Sequence, residues 1–125
     1  MAQSAGLHEP ADSLDEATTD RHRAIVSIQE EFEAVDWYDQ RVVATNDASL
    51  AAVLAHNRDE EKEHASMTLE WLRRHDPVLD RHLRTYLFTT EAVTEVEAEA
   101  EAGGGDAGGA HEGSLGIGSL KGVGR

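Results

Sequence analysis

Three side chains able to bind a metal ion recur at helical spacing in the middle of the chain. Glu61 and His64 are three residues apart, so on a helix they lie side by side on one face. Glu31 holds a comparable place in an earlier segment, with the apolar Ile28 and Val35 three and four residues away. Carboxylate and imidazole ligands suit iron and related divalent ions, and the chain has no cysteine. These residues indicate metal chemistry.

The spacing also suggests how such a site is assembled. An unpaired buried carboxylate is very costly, so a positive partner is expected where Glu31 and Glu61 interrupt apolar stripes. A glutamate on one helix and Glu-x-x-His on the next is half of the ligand set of a ferritin-like di-iron bundle. A two-fold dimer would supply the other half, and its four glutamates would balance two Fe²⁺ ions. The Glu-x-x-His spacing alone is common in acidic helices and more often marks a solvated face; the matched glutamate on the other helix and the missing half of the core are what favour a metal site.

Two long helices are needed to position these residues. The first helix is expected to begin between Ser13, which starts a capping-box spacing, and Asp20, and to end near residues 45–47. The second helix is expected from about Ser49 to His75. The turn between them is short, which predicts an antiparallel hairpin.

A third, short helix is predicted after the hairpin. Asp76 suits its N-cap and Pro77 its first position. Beyond Thr90 the sequence becomes acidic and then glycine-rich, which favours a flexible segment with at most a brief helix. The chain therefore divides into four predicted segments: a disordered N-terminal tail (1–12), a helical domain (13–90), an acidic, glycine-rich flexible linker (91–112) and a C-terminal peptide (113–125).

The predicted fold class is all-α: an antiparallel two-helix hairpin plus a short C-terminal helix. The ordered part is only about 70 residues long. At that size one core seldom supplies enough stability without a disulfide, a bound metal or oligomerisation. No disulfide can form without cysteine. We therefore expect a homo-oligomer in which the hairpin is half of a ferritin-like four-helix bundle that dimerisation completes.

The charge of the chain excludes several partners. The formal net charge is −14 and no basic stripe is present, so nucleic acid and anionic lipid are not expected partners. No apolar run approaches the roughly 20 residues of a membrane span. The N-terminus lacks the layout of a secretory signal, so the expected location is the cytoplasm.

Several longer motifs resemble the encapsulated ferritin family. They are EEFEAVDWYDQR (Glu30 to Arg41), LAHNRDEEKEHASMTLEWLRR (Leu54 to Arg74) and RTYLF (Arg84 to Phe88). The tail motif GSLGIGSLKG (Gly113 to Gly122) resembles peptides that load such proteins into encapsulin shells.

The resemblance implies a ferroxidase that oxidises Fe²⁺ to Fe³⁺ with O₂ at a di-iron centre between subunits. It also implies a ring, typically a decamer, enclosed in the lumen of an encapsulin nanocompartment that stores the iron mineral. The implied site residues are the metal ligands Glu31, Glu61 and His64 from two subunits, the nearby Tyr38, and an acidic metal-uptake site for Ca²⁺ or another divalent ion at Glu30 and Glu33.

Two other functions stay open at this point. The acidic helices could form an adaptor or scaffold module that binds no metal and pairs with basic residues of a partner. The same ligands could also serve a ferritin-like di-metal protein that consumes peroxide or uses manganese.

Overall fold

Helix-capping side chains divide the chain into the elements seen in the computed structural model. The structure describes residues 6–110, and for residues 104–110 it describes the backbone alone. All regular structure in this range is helical: α1 (Glu16–Ala44), α2 (Ala48–Arg74), α3 (Pro77–Tyr86) and α4 (Val93–Ala110), preceded by a 3₁₀ turn at Ala11–Ser13. The all-α prediction is confirmed. None of the helices in this range is long and apolar enough to cross a membrane.

Aspartates cap both helices of the hairpin. The Asp15 carboxylate accepts a hydrogen bond from the Thr18 amide at 2.7 Å, and Asp47 does the same for the Leu50 amide at 3.0 Å. α1 begins at Glu16, within the predicted interval from Ser13 to Asp20, but the cap is Asp15 and not Ser13, which ends the preceding 3₁₀ turn.

α1 and α2 pack antiparallel and bury little apolar area. In the described range the hairpin residues that are almost fully buried are Ala24, Ala65 and Leu72, and no large side chain anywhere in that range is fully enclosed. Large apolar groups such as Phe32 and Met67 remain 55% and 64% exposed. This agrees with the expectation that one hairpin has little interior of its own. That a second copy completes it stays a prediction.

The chain divides into two compact units at His75, and the second unit holds α3 and α4. Asp76 accepts a hydrogen bond from the Leu79 amide at 3.0 Å and Pro77 is the first residue of α3, as predicted. Val96 on α4 is almost fully buried. Between the two helices Phe88 has a positive φ of 66°, a conformation that is unusual for an aromatic residue.

The structure differs from the prediction in both flanking segments. Residues 91–112 were expected to be a flexible linker, yet α4 covers 93–110. Its first half is rich in alanine and glutamate, which favour helices, and each residue added to an existing helix gains a hydrogen bond. The helix therefore continues through five glycines that composition assigns to a linker. In the N-terminal segment 1–12, part of the 3₁₀ turn forms where no structure was expected.

Candidate metal centre

Glu31 presents a carboxylate oxygen that is buried and has no partner. It lies in the middle of α1, where the side chain is half-buried against α2. Its Oε1 atom is enclosed and makes no hydrogen bond within the described part of the chain. Burial raises the pKa of Glu31, the negative charge of Glu61 raises it further, and His64 and Thr68 of α2 oppose this rise in pKa. The carboxylate is thus placed where its charge is poorly solvated.

Glu61 and His64 stand next to each other on α2. The distance between His64 Nδ1 and Glu61 Oε1 is 3.6 Å, as the three-residue spacing predicts. Glu61 is 29% exposed and His64 is 48% exposed, so the pair lies at the open edge of the hairpin. The imidazole is therefore accessible to a group that approaches from outside the chain.

Glu60 is a further polar side chain close to His64 on α2. Its carboxylate lies 3.9 Å from His64 Nε2 and 3.7 Å from His56 Nε2. Glu60 and His56 are both exposed.

A single chain does not assemble a complete site. No group of three or more histidine, aspartate or glutamate side chains within residues 6–110 is arranged to bind one ion. Glu31, Glu61 and His64 are brought to the same level of the hairpin, but they contribute two carboxylates and one imidazole that do not converge. The carboxylates and the imidazole are suitable metal ligands, and their net negative charge favours a cation. Further ligands to that cation would have to come from outside this chain.

Tyr38 lies seven residues beyond Glu31, which corresponds to about 10 Å along the helix axis. Its half-buried ring is covered by the guanidinium of Arg41, 5.6 Å from the ring centroid. This cation–π contact fixes the ring on the same helix. The structure of one chain does not bring Tyr38 to the glutamates.

The residues predicted for metal uptake lie beside Glu31 on α1. Glu30 is exposed and Glu33 is half-buried. The negative charge of Glu30 also raises the pKa of Glu31, with the smallest effect of the groups around it. Trp37, one turn further on, is 47% exposed and lines a shallow hollow with Gln40 and Arg41.

Thr68 was not among the residues predicted for the site. The structure sets it opposite Glu31, where its hydroxyl lowers the pKa of that carboxyl. The available signal was its spacing, one turn after His64 and two turns after Glu61 on the same face.

Comparisons with known proteins identify the family of this chain. A family model described as EncFtn-like matches residues 6–90. The chain is 62% identical to the "Encapsulated ferritin-like protein" of Rhodospirillum rubrum, over 98% of this chain and 93% of that protein. It is also 30% identical to the "Encapsulin nanocompartment cargo protein EncC" of Myxococcus xanthus, over 60% of this chain and 61% of that protein.

A solved structure has the same fold. The crystal structure of protein ne0167 from Nitrosomonas europaea superposes with a TM-score of 0.68 at 59% identity, covering 70% of this chain and 96% of that one. The match of the family model extends over both helices of the hairpin and the whole of α3. The chain is thus a member of the EncFtn-like family.

Proposed function

We propose that this protein is a ferroxidase that oxidises Fe²⁺ to Fe³⁺ at a site shared by two copies of the chain. Each copy would contribute Glu31, Glu61 and His64. The observation that carries the proposal is the buried and unpartnered Oε1 of Glu31, which faces a second carboxylate and an imidazole on α2. A carboxylate in that position is stabilised by a cation.

Charge and ligand type favour iron as the substrate of this site. Four glutamates from two chains carry −4, which two Fe²⁺ ions neutralise, and two histidines add neutral donors. Anionic oxygen ligands are hard donors and stabilise the +3 ion more than the +2 ion. Binding at these carboxylates therefore makes loss of an electron from Fe²⁺ more favourable than it is in water.

The redox step balances with O₂ as oxidant. Two Fe²⁺ ions supply two electrons, which with two protons reduce O₂ to H₂O₂. Four Fe²⁺ ions and four protons reduce O₂ to two waters. Measuring Fe²⁺ oxidised per O₂ consumed distinguishes a ratio of two from a ratio of four.

The remaining predicted residues are assigned supporting roles. Glu30 and Glu33 would attract Fe²⁺, Ca²⁺ or another divalent ion to the outside of α1, because both are carboxylates within one turn of Glu31. Tyr38 of either copy would serve as a hydrogen-bond donor near the centre once the second copy is in place.

Substitution of the ligands tests the ferroxidase proposal. Glu31→Ala and Glu61→Ala are expected to reduce iron oxidation in stopped-flow absorbance to the rate in buffer alone. Glu63→Ala is the matched control, since Glu63 is an exposed glutamate two residues from Glu61 on the same helix. Full activity of both ligand variants would refute the proposal. Faster turnover of H₂O₂ than of O₂ would instead indicate a peroxide-consuming protein, and a purified protein without stoichiometric metal would indicate an adaptor.

Assembly is the second part of the proposal. A two-fold pair of hairpins would complete the ligand set and cover exposed apolar groups of α1 and α2. Such pairs would associate further into a ring of ten chains. Sedimentation before and after chelation tests whether metal bridges the copies. A folded, metal-free monomer at micromolar concentration would contradict it.

Enclosure in an encapsulin shell is proposed from the names of the relatives and the tail motif. The Rhodospirillum rubrum protein is named as encapsulated and the Myxococcus xanthus protein as encapsulin cargo. The predicted loading peptide, 113–122, lies outside the described residues. Removal of residues 113–125 is expected to abolish co-purification with a co-expressed shell protein while iron oxidation is retained. Continued co-purification would assign loading to another segment.

A further inference from the structure

Arg58 forms an ion pair that crosses from α2 to α1. Its Nη1 atom donates a hydrogen bond to Asp39 Oδ1 at 2.9 Å, between residues that are 19 positions apart in the chain. By contrast, the ion pair of Arg74 with Glu70 stays within α2. The side chain of Arg58 is 22% exposed and that of Arg74 is 67% exposed. The arginine that joins the two helices is therefore the more enclosed one.

The position of Arg58 on α2 suits this contact. Side chains on a helix lean toward the N-terminus of that helix, and α2 begins at the turn from α1. The Arg58 side chain is thus directed toward the turn and meets Asp39, which lies nearer to that turn than Glu31 does. A second hydrogen bond, from Arg58 Nε to Asp59 Oδ1 at 3.0 Å, holds the guanidinium from its own helix.

The same face of α2 carries a ligand of the candidate metal centre. Glu61 follows Arg58 by three residues and Ala65 follows it by seven, so all three lie on one face of the helix. Ala65 is 1% exposed, which is consistent with this face packing against α1. A rotation of α2 that displaced Arg58 would displace Glu61 as well, because both belong to one helix.

Apolar packing specifies the register of α1 against α2 only weakly. The most enclosed apolar side chains of the hairpin are Ala24, Ala65 and Leu72, and no large side chain in the described range is fully buried. Small side chains interlock little between helices. The short turn limits an axial shift of α2, but it leaves each helix free to rotate about its own axis. A charge-assisted hydrogen bond has a preferred direction and can fix that rotation.

We propose that Arg58 is a positioning residue of the metal centre. Its ion pair with Asp39 holds α2 in one register against α1. That register keeps Glu61 and His64 at the level of Glu31. This inference rests on the proposed function, because it assigns Arg58 a role toward the metal ion bound there. A misplacement of about 1 Å at a reacting group can cost about 100-fold in rate, so a loosened register should affect the centre while the hairpin is still folded.

Uncharged variants of either partner test the ion pair in the full chain. Arg58→Gln and Asp39→Asn each remove one charge and keep a polar side chain. One matched control is Arg74→Gln, which removes an arginine charge from an ion pair within α2. The other is Asp59→Asn, which removes the partner of Arg58 on its own helix. The double variant D39R/R58D exchanges the two charges and can restore the pair.

The measurements are the affinity for Co²⁺ and the visible absorption spectrum of bound Co²⁺ at saturation, without iron or oxygen turnover. The spectrum reports coordination geometry, which a general loss of stability does not alter in the molecules that stay folded. We expect R58Q and D39N to bind Co²⁺ about 10-fold more weakly than the wild type, with a changed spectrum. R74Q and D59N should stay within about twofold of it, and D39R/R58D should recover most of the affinity.

Circular dichroism of the metal-free variants shows whether each one folds, and D39N with D39R/R58D carries the test if R58Q does not. Wild-type affinity and spectrum in R58Q and D39N would overturn the inference. A loss in R58Q alone, an equal loss in R74Q, or no recovery in D39R/R58D would overturn it too, since the effect would then not depend on the pair. Retained binding in R58Q and D39N with lost binding in E31A would leave the proposed function standing. Absence of Co²⁺ binding by the wild type would refute both.

Discussion

Substitution of Glu31 by glutamine is expected to stabilise the metal-free protein and to abolish its response to metal. The change removes the charge of a carboxylate whose Oε1 is buried without a partner, and keeps the size of the side chain. Because burial and Glu61 raise the pKa of Glu31 above its ordinary value of 4.5, the folded chain holds that proton more tightly than the unfolded chain does. Glu31 therefore contributes stability that is fully present below pH 4.5 and is lost as the pH rises through its raised pKa. The E31Q variant lacks this loss.

The size of the effect follows from the burial of one oxygen. Glutamine leaves a polar oxygen in the same place, so the substitution removes only the added cost of the buried charge. For a half-buried side chain we expect this to be about 1 kcal/mol, the lower end of the range for groups without a partner. In a domain of this size that corresponds to a rise in Tm of about 4–8 °C. With divalent metal at 100 times its dissociation constant, the wild type gains about 2.7 kcal/mol. The order of stability is then reversed, because E31Q has lost a ligand.

Thermal melts between pH 4 and pH 8, with EDTA or with Co²⁺, measure both the pH dependence of stability and the stabilisation by metal. Glu63→Gln is the control, since it removes one exposed negative charge from α2 and relieves general repulsion equally. We expect E31Q and the wild type to converge near pH 4 and to separate above pH 4.5. Equal melting of E31Q and E63Q in EDTA at pH 7 would refute the reasoning that Glu31 is strained without a cation.

Three further changes test the fold that positions the site. Asp47→Ala removes the N-cap of α2 and should lower the free energy of unfolding by about 1 kcal/mol in urea denaturation, whereas an unchanged midpoint would contradict the cap. Asp39→Asn removes the charge from the ion pair between Asp39 of α1 and Arg58 of α2, whose N–O distance is 2.9 Å; the urea midpoint should fall, and the difference from wild type should shrink in 1 M salt as screening predicts. Gly103→Ala meets open space and should strengthen α4 by up to about 1 kcal/mol; a decrease in ellipticity at 222 nm would show that α4 is not helical there.

The helical hairpin was predictable because its determinants are local. Caps, apolar periodicity and Asp76-Pro77 act within a few residues, and they set both ends of α2 to within one residue, and the first residue of α3. The first cap was misplaced because Ser13 and Asp15 both suit an N-cap, and competition between neighbouring caps depends on the preceding turn. α4 was missed because composition favours a linker, whereas the helix is continued from the alanine- and glutamate-rich residues before the glycines.

The pairing of Glu61 with His64 was also predictable, since a three-residue spacing on a helix leaves no other arrangement. The burial of Glu31 Oε1 and the position of Thr68 opposite it were not. Both depend on the register in which α1 lies against α2, and a shift by one turn would bring other side chains opposite Glu31.

The sequence by itself determined that this protein is helical, that it forms a hairpin and that it carries Glu-x-x-His together with a second glutamate. Those properties follow from short-range periodicity and capping. Only the tertiary structure decided that one oxygen of Glu31 is enclosed without a partner, and that one chain within residues 6–110 does not complete a metal site. The reason is physical: solvation and ligand convergence are properties of the space between helices, and residues far apart in the chain enclose that space.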